Sequence, residues 1–279
     1  MTGETARAAG ETHRTGERRH SRTSARVGRG CPAGAATDRF SHAPRENRET
    51  GGFAMIRFYF SPAPNPAKVA LMLEETGLPY EAIPVDTRKG QQFAPEYVAL
   101  NPNAKVPSIV DGDVTVFDSN AILLYLAEKT GQFLPANTPR ARGEMLSWLM
   151  FVASGVGPYS GQAVHFKHFA PDPKDYPVKR YNFEAQRHWG IIDARLANSR
   201  YMLGDTYTLV DISLWGWARA APFVLGDEAF GKLPHLKRHL DEISARPAAV
   251  RAAAVKDRFQ FKTEWDEEGR RYMFPFLAL

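Results

Sequence analysis

The chain reads Met55-Ile-Arg-Phe-Tyr-Phe-Ser-Pro-Ala-Pro-Asn-Pro66 where an apolar run gives way to a helical pattern. Aromatic and β-branched residues predict a strand over Ile56–Phe60, and the prolines that follow it predict a turn. The apolar spacing then predicts a helix over Pro66–Thr76 and a second strand over Glu81–Val85. This order of elements predicts the start of a β-α-β unit.

The residues that follow complete a small α/β domain. Two short apolar runs, Val106–Val110 and Val114–Phe117, are separated by Asp111-Gly-Asp113, which is typical of a tight β-hairpin. A helix is predicted for Ser119–Thr130. We therefore predict an α/β domain over residues 55–130.

A second, all-helical region is predicted for residues 139–279, after a linker at 131–138 that is rich in proline and glycine. Thr208-Leu-Val-Asp211 has the pattern of a capping box at the start of one helix, so we expect Asp211 to support folding and to act on chemistry only indirectly. The predicted helices are Arg142–Val156, Val178–Ala197, Leu209–Phe223 and Leu233–Ala245.

The first 54 residues differ in composition from the rest of the chain. They hold ten Arg and no Lys against six acidic residues, and they have few large apolar side chains. Such a segment cannot offset its ordering entropy, so we expect either a disordered extension or a start of translation at Met55. From Met55 onward the charges nearly balance, which argues against a nucleic-acid groove.

Composition also limits the chemistry and the location. The single cysteine, Cys31, lies in this extension, so a disulfide, a CxxC pair or a cysteine-based metal site is excluded. No apolar run of about eighteen residues and no secretory h-region is visible, so we expect a cytoplasmic protein without membrane spans.

The turn before the first helix is the first candidate site. Asn65 is a plausible N-cap with Pro66 at the first helical position. A thiolate held at this helix N-terminus would gain from the helix dipole and from free N–H donors, and Asn65 could donate to the sulfur. The alternative is that Asn65 only caps the helix.

Two further turns could hold the ends of an extended peptide. A cis Val106–Pro107 bond would present the Val106 backbone to such a ligand, although only about 5% of X-Pro bonds in folded proteins are cis. Ser119 could cap the next helix and bind a carboxylate, and Asp118 could bind the neighbouring ammonium group. The alternative for this pair is an ordinary cap with an exposed carboxylate.

Three motifs resemble those of glutathione transferases in the same order and spacing. They are Pro-Ala-Pro-Asn65, Pro-Asn-Ala-Lys-Val-Pro107 and the run from Phe117 to Gly131. The similarity spans residues 55 to about 254 and is greatest to the bacterial Nu class. It implies an α/β N-terminal thioredoxin-like domain plus an all-α C-terminal helical bundle.

The resemblance also implies roles for particular residues. Asn65 would touch the glutathione sulfur, and Ser61 could assist because Ala63 stands where the class has a threonine near that sulfur. The other glutathione-binding residues implied are Gln92 at the glycyl end, Lys105, Val106 and Pro107 along the cysteinyl backbone, Asp118 with Ser119 at the γ-glutamyl head, and Arg187 from the helical domain.

The implied reaction is glutathione-dependent disulfide reduction, with glutathione as cosubstrate and without a metal. The alternatives are conjugation, peroxide reduction or ether cleavage with glutathione, or a non-catalytic glutathione-binding or regulatory protein, which Ala63 favours. The family expectation is a homodimer that acts on a small electrophile or disulfide.

Several other residues are open to more than one interpretation. Tyr59 lies inside the first strand and is better interpreted as packing than as a sulfur ligand. His165 and His168 lack partners at metal-ligand spacing. Tyr159, Phe166, Trp215 and Trp217 could form an acceptor pocket or belong to the core. The tail over residues 257–279 could cover the active-site cleft or pack on the core.

Overall fold

The structure is a computed structural model that describes residues 55–171 and 175–278. Four strands form one mixed sheet in the order β2-β1-β3-β4. β1 and β2 are parallel, with Ile56 opposite Tyr80, whereas β3 runs antiparallel to both β1 and β4. The strands are β1 (Ile56–Phe60), β2 (Tyr80–Pro84), β3 (Ser108–Asp111) and β4 (Val114–Phe117).

Helices make up most of the remaining described residues. Near the sheet these are α1 (Pro64–Thr76), α2 (Pro95–Val98) and α3 (Ser119–Thr130), and after them come α4 (Pro139–Phe151), α5 (Gly157–Val164), α6 (Asp175–Ala197), α7 (Leu209–Ala218), α8 (Ala221–Leu225), α9 (Asp227–Gly231), α10 (Pro234–Ser244), α11 (Pro247–Ala254) and α12 (Glu267–Met273). This architecture confirms the predicted fold class: a sheet domain of thioredoxin type followed by a helical bundle.

α1 is the element that joins the two parts. It contacts the sheet side through α3 and the helical part through α7 and α11. Its run from Val69 to Leu73 is fully buried, in the same apolar cluster as Trp189 and Trp215 of the helical part. Burying one large apolar side chain contributes roughly 1.5–3 kcal/mol. Because several such side chains of α1 are buried in this shared core, a shift of α1 relative to α7 would cost free energy, and the start of α1 is held in place.

The predicted helices Pro66–Thr76, Val178–Ala197 and Leu233–Ala245 differ from the observed ones by one to three residues at their ends, and two others differ more, partly because of proline. The helix predicted at Arg142–Val156 begins at Pro139, and its path continues through π-helical turns at Val152–Val156 and His165–Phe169. The helix predicted at Leu209–Phe223 ends at Ala218, because Pro222 cannot donate the next helical hydrogen bond and instead lies in the first turn of α8.

The expectation for residues 1–54 lies outside the described residues. In the ranges that are described, no helix combines the length and apolar character needed to cross a bilayer.

Candidate active site

The turn between β1 and α1 has one useful backbone donor. Ala63, in an extended conformation, is the N-cap of α1, so the expectation that Asn65 caps the helix is wrong. Asn65 instead lies inside the first turn, between Pro64 and Pro66, which have no N–H. Its backbone N–H is therefore available at the positive end of the helix.

The Asn65 side chain is held in one orientation. Its Oδ1 accepts a hydrogen bond from the indole Nε1 of Trp217 on α7, at 3.0 Å. Since the amide oxygen is occupied by the helical part, the amide NH₂ is left to donate to a ligand. Asn65 is therefore not the predicted helix cap but a hydrogen-bond donor whose orientation is set by Trp217.

The start of α3 forms the opposite end of the site. Asp118 is the N-cap, with φ of 70°, and its Oδ1 accepts from the N–H of Asn120 at 2.9 Å and of Ala121 at 3.1 Å. Ser119, expected as the cap, is the first helical residue and is buried. The carboxylate of Asp118 remains solvent-exposed at the rim.

These two turns line a single cavity of about 280 Å³ between the sheet and the helical part. Its lining brings together Asn65, Asp118 and Ser119, three of the site residues named from sequence. The remaining lining residues are Lys68, Asn120, Val152, Ala153, Gly157, Pro158, Gly161, Gln162 and Trp217.

Lys68 is the site residue that sequence reasoning missed. Only 1% of its surface is exposed, and its Nζ donates to Ser119 Oγ at 3.3 Å. Burial lowers the pKa of Lys68 to about 7, and the nearby charge of Asp118 opposes this shift only in part. The available signal was a lysine inside the otherwise apolar run Ala67–Leu73 of a buried helix.

The predicted ligand segment before β3 has a cis peptide bond between Val106 and Pro107. The carbonyl of Lys105 accepts from the Tyr97 hydroxyl at 2.7 Å and from Asn101 Nδ2 at 2.6 Å. These bonds fix the main chain just before the proline, while the Lys105 side chain is exposed.

Gln92 is 4% exposed, and only one of the two polar atoms of its side-chain amide has a hydrogen-bond partner among the described residues. Its Nε2 donates to the carbonyl of Tyr272 at 3.3 Å, whereas its buried Oε1 has no hydrogen-bond partner among the described residues. The Tyr272 ring covers Gly90, where any side chain would collide with it. Gln92 therefore lies beneath the C-terminal part of the chain.

Residues 262–276 form a segment that we call the C-terminal strap. From the sequence alone, the tail that contains it could either cover the active-site cleft or pack on the core. Arg88 Nη1 donates to the carbonyls of Lys262, at 3.1 Å, and Thr263, at 2.5 Å, and its guanidinium stacks 4.9 Å from the Trp265 ring. At its other side the strap packs on the helical part, with the Phe274 ring 4.6 Å from that of His165. The strap thus spans both parts of the fold.

Six residues named from sequence are not in the lining of this cavity: Ser61, Gln92, Lys105, Val106, Pro107 and Arg187. Arg187 is exposed and pairs with Glu184, whose Oε2 lies 2.9 Å from Nε. Ser61 lines a second, mainly apolar cavity of about 250 Å³ on the other side of the β1–α1 turn. That cavity also contains Arg219, whose guanidinium lies 4.6 Å from the Trp215 ring.

The four aromatic residues considered for an acceptor pocket have different surroundings, although Tyr159 and Phe166 both lie against the Tyr181 ring. Trp217 lines the 280 Å³ cavity, whereas Trp215 is in the core. Tyr159 stacks on His188 with ring centroids 4.8 Å apart, and Phe166 stacks on Tyr181 at 5.2 Å.

The remaining sequence candidates have packing partners. Tyr59 is buried in β1 with its ring 5.8 Å from that of Tyr97, in agreement with a packing role. His165 and His168 contact aromatic rings. Among residues 55–171 and 175–278, no cluster of three His, Cys, Asp or Glu side chains could hold a metal ion.

Comparisons with known proteins show the family and agree with the fold. Family models described as "Glutathione S-transferase, N-terminal domain" and "C-terminal domain" match residues 54–128 and 160–247. The disulfide-bond oxidoreductase YfcG of Escherichia coli is 42% identical over 205 residues, which cover 71% of this chain and 94% of that protein.

Solved structures show the same similarity. A glutathione transferase from Burkholderia graminis, with two glutathione molecules per subunit, aligns with a TM-score of 0.69 and 38% identity over 74% of this chain and 90% of that one. One from Pseudomonas putida, with one glutathione disulfide per subunit, aligns with a TM-score of 0.68 and 34% identity over 72% and 92%.

Proposed function

Because the chain belongs to the glutathione S-transferase family, we propose that it holds glutathione as a thiolate at the start of α1 and uses it to reduce small disulfides. The observation that carries this proposal is Asn65. Its backbone N–H and its oriented amide NH₂ both lie at the helix N-terminus, in the cavity that also holds Asp118 and Ser119.

The proposed ligand path follows the chemistry of these residues. The sulfur lies at Asn65, the cysteinyl backbone runs along Val106 before Pro107, and the γ-glutamyl group reaches Ser119 with its ammonium near the Asp118 carboxylate. Gln92 and Lys105 are assigned to the glycyl end. Arg187 would have to leave Glu184 to reach the ligand, so we assign it the weakest contact.

The chemistry is thiol–disulfide exchange. The glutathione thiolate attacks one sulfur of the acceptor, forming a mixed disulfide and releasing the other sulfur as a thiolate that takes a proton from water. A second glutathione thiolate then attacks the glutathione sulfur of the mixed disulfide. Oxidised glutathione and the second acceptor thiol are released.

This chain lacks the threonine hydroxyl that the class has near the sulfur, and with it one hydrogen bond that would stabilise the thiolate. Ala63 has no hydroxyl at the N-cap, so Asn65 and the helix dipole, with Ser61 as the further predicted donor, must lower the thiol pKa from its ordinary value of about 8.5. In the structure Ser61 faces the second cavity, and its catalytic role stays a prediction.

The test is the steady-state rate of 2-hydroxyethyl disulfide reduction by the full chain with glutathione. Asn65→Ala should lower kcat/KM about a hundredfold, the usual effect of removing one donor from a developing or stabilised anion. Asn198→Ala, an exposed change at the end of α6, should leave it unchanged. A wild-type rate no higher than the uncatalysed background would refute disulfide reduction.

A second candidate is a glutathione-binding protein with little turnover, and Ala63 favours it because the sulfur loses a hydroxyl donor. Saturable glutathione binding without reduction of disulfide or peroxide, ether cleavage or conjugation of an electrophile would support it. If the protein instead reduces a peroxide, cleaves an ether or conjugates an electrophile but does not reduce a disulfide, the acceptor substrate changes and the thiolate chemistry stays.

We also propose a homodimer of Nu-class type in the cytoplasm, where glutathione is kept reduced. The exposed apolar side chains Val114, Phe117 and Met150 support an interface between two subunits, since burying such side chains is favourable. Sedimentation velocity would detect the dimer. Glutathione is the proposed cosubstrate, and no metal is required.

A further inference from the structure

Lys68 is a buried amine that forms no ion pair in the described part of the chain, and Asp118 is the charged group near enough to affect its pKa. Its one polar contact among those residues is Ser119 Oγ at 3.3 Å. A buried charge costs free energy unless it is paired, so an unpaired lysine is not expected in a helix whose neighbours are apolar.

The stem of the Lys68 side chain is closely packed against α7. Gly216 of α7 lies against the Lys68 stem, where an added Cβ would be 2.5 Å from Lys68 Cγ. The side chain is therefore directed along the buried face of α1 toward the start of α3 and the 280 Å³ cavity. A closer negative charge than Asp118 is best supplied by a ligand in that cavity.

We propose that Lys68 recognises the α-carboxylate of the γ-glutamyl group of glutathione through Ser119, and that glutathione binding charges Lys68. The identity of the ligand rests on the proposed function. Ser119 Oγ accepts a hydrogen bond from Lys68 and donates its own hydrogen to the carboxylate, so Lys68 acts as a positioning residue.

The charges around Lys68 define the expected proton balance. Its lowered pKa of about 7 means that the free protein at neutral pH contains both the charged and the neutral form. Asp118 of α3 is the titratable group that faces it, while α7 presents Gly216 and Trp217 and the π-helical turn presents Val152 and Ala153. A bound carboxylate favours the charged form, so binding takes up a proton.

The test is calorimetric titration of the full chain with S-methylglutathione at pH 7.5, in two buffers of different ionisation enthalpy. This probe has no thiol, so ionisation of the sulfur cannot contribute. We expect uptake of roughly half a proton or more per site, and an affinity that falls as pH rises above about 7.

Lys68→Met should abolish the proton uptake and raise Kd about tenfold or more, because a charge-assisted hydrogen bond is lost. Lys179→Met, an exposed lysine on α6, should change neither quantity. Lys68→Met should not lower the thermal midpoint, since it removes a buried charge, whereas a purely structural lysine would be needed for stability.

Ser119→Ala provides a second variant that retains the lysine. It should weaken binding and reduce proton uptake, because the hydroxyl no longer connects the two charges. Binding to wild type without proton uptake overturns this inference alone. Absence of S-methylglutathione binding overturns the proposed function with it, and proton-coupled binding without disulfide turnover supports the inference while removing the reductase assignment.

Discussion

At the scale of single residues, Asp211 and Lys68 are both buried but differ in what surrounds them. Asp211 accepts hydrogen bonds from the backbone N–H of Met202 and Thr208, at 2.8 and 2.9 Å, and its Oδ1 lies 2.9 Å from His239 Nε2. Each oxygen of this carboxylate is satisfied within the protein. Asp211 is therefore structural, whereas Lys68 faces a cavity.

Asp211→Ala should destabilise the protein by about 3–5 kcal/mol, because it removes the capping box and leaves His239 without its partner. Urea denaturation followed by circular dichroism measures this loss. Asp205→Ala, an exposed position just before the same helix, is the matched control. A change below about 1 kcal/mol at Asp211 would contradict the structural role.

Local sequence predicted some of these residues and could not predict others. The Thr208–Asp211 capping box is visible from spacing alone because both partners lie within four residues. Asn65 was assigned to the wrong position, since its actual partner, Trp217, is 152 residues away. Lys68 was missed for the same reason: its burial depends on α3 and α7 closing over α1.

At the scale of elements, the contact between α1 and α7 sets the geometry of the site. Gly216 of α7 meets the Pro64 carbonyl and the Lys68 stem with no room for a methyl group. α7 also carries Trp217, which orients Asn65. A change in the crossing of α1 and α7 would therefore move Asn65, the proposed contact of the glutathione sulfur, and Lys68 together.

Gly216→Ala should lower both the free energy of unfolding and the affinity for glutathione, because the added methyl group must push α7 away from α1. We expect a stability loss of about 1–3 kcal/mol, the usual cost of overpacking. Gly190→Ala in α6, where an added Cβ meets nothing within 4 Å, should instead raise stability by about 0.5–1 kcal/mol. Equal effects of the two changes in denaturation and binding assays would argue against this account.

Periodicity predicted the elements better than their ends. The tight hairpin at Asp111-Gly-Asp113 is present between β3 and β4, with Asp111 opposite Val114. The π-helical turns around α5 were not predicted, because a turn with one extra residue leaves little trace in a short apolar pattern. The strap was left undecided because its partners, Arg88 and Gln92, lie far away in the sequence.

At the scale of the whole molecule, the strap connects the sheet domain with the helical part. Lys262 N–H donates to Asp86 Oδ2 at 2.8 Å, next to the contacts of Arg88, and Phe274 lies against His165. The Gln92 amide, proposed for the glycyl end of glutathione, is bonded to this same segment. Under the proposed assignment of Gln92, ligand binding and the position of the strap share one side chain.

Arg88→Ala should loosen the strap and make trypsin cut after Lys262, Arg270 and Arg271 about tenfold faster, because two charge-assisted hydrogen bonds and the Trp265 stack are lost. Lys237→Ala removes an exposed cation on α10, which has no contact with the strap among the described residues, and should leave these cleavage rates unchanged. Mass spectrometry of timed digests measures the rates. Equal rates in both variants would show that Arg88 does not hold the strap.

The bonds that Arg88 and Gln92 make to the strap end on carbonyl oxygens of Lys262, Thr263 and Tyr272, and every amino acid has such an oxygen. Substitutions at these three strap positions leave the bonds in place. Sequence changes at Lys262 and Thr263 therefore keep the acceptors of Arg88, whereas the ring contacts of the strap depend on the side chains of Trp265, Tyr272 and Phe274 themselves.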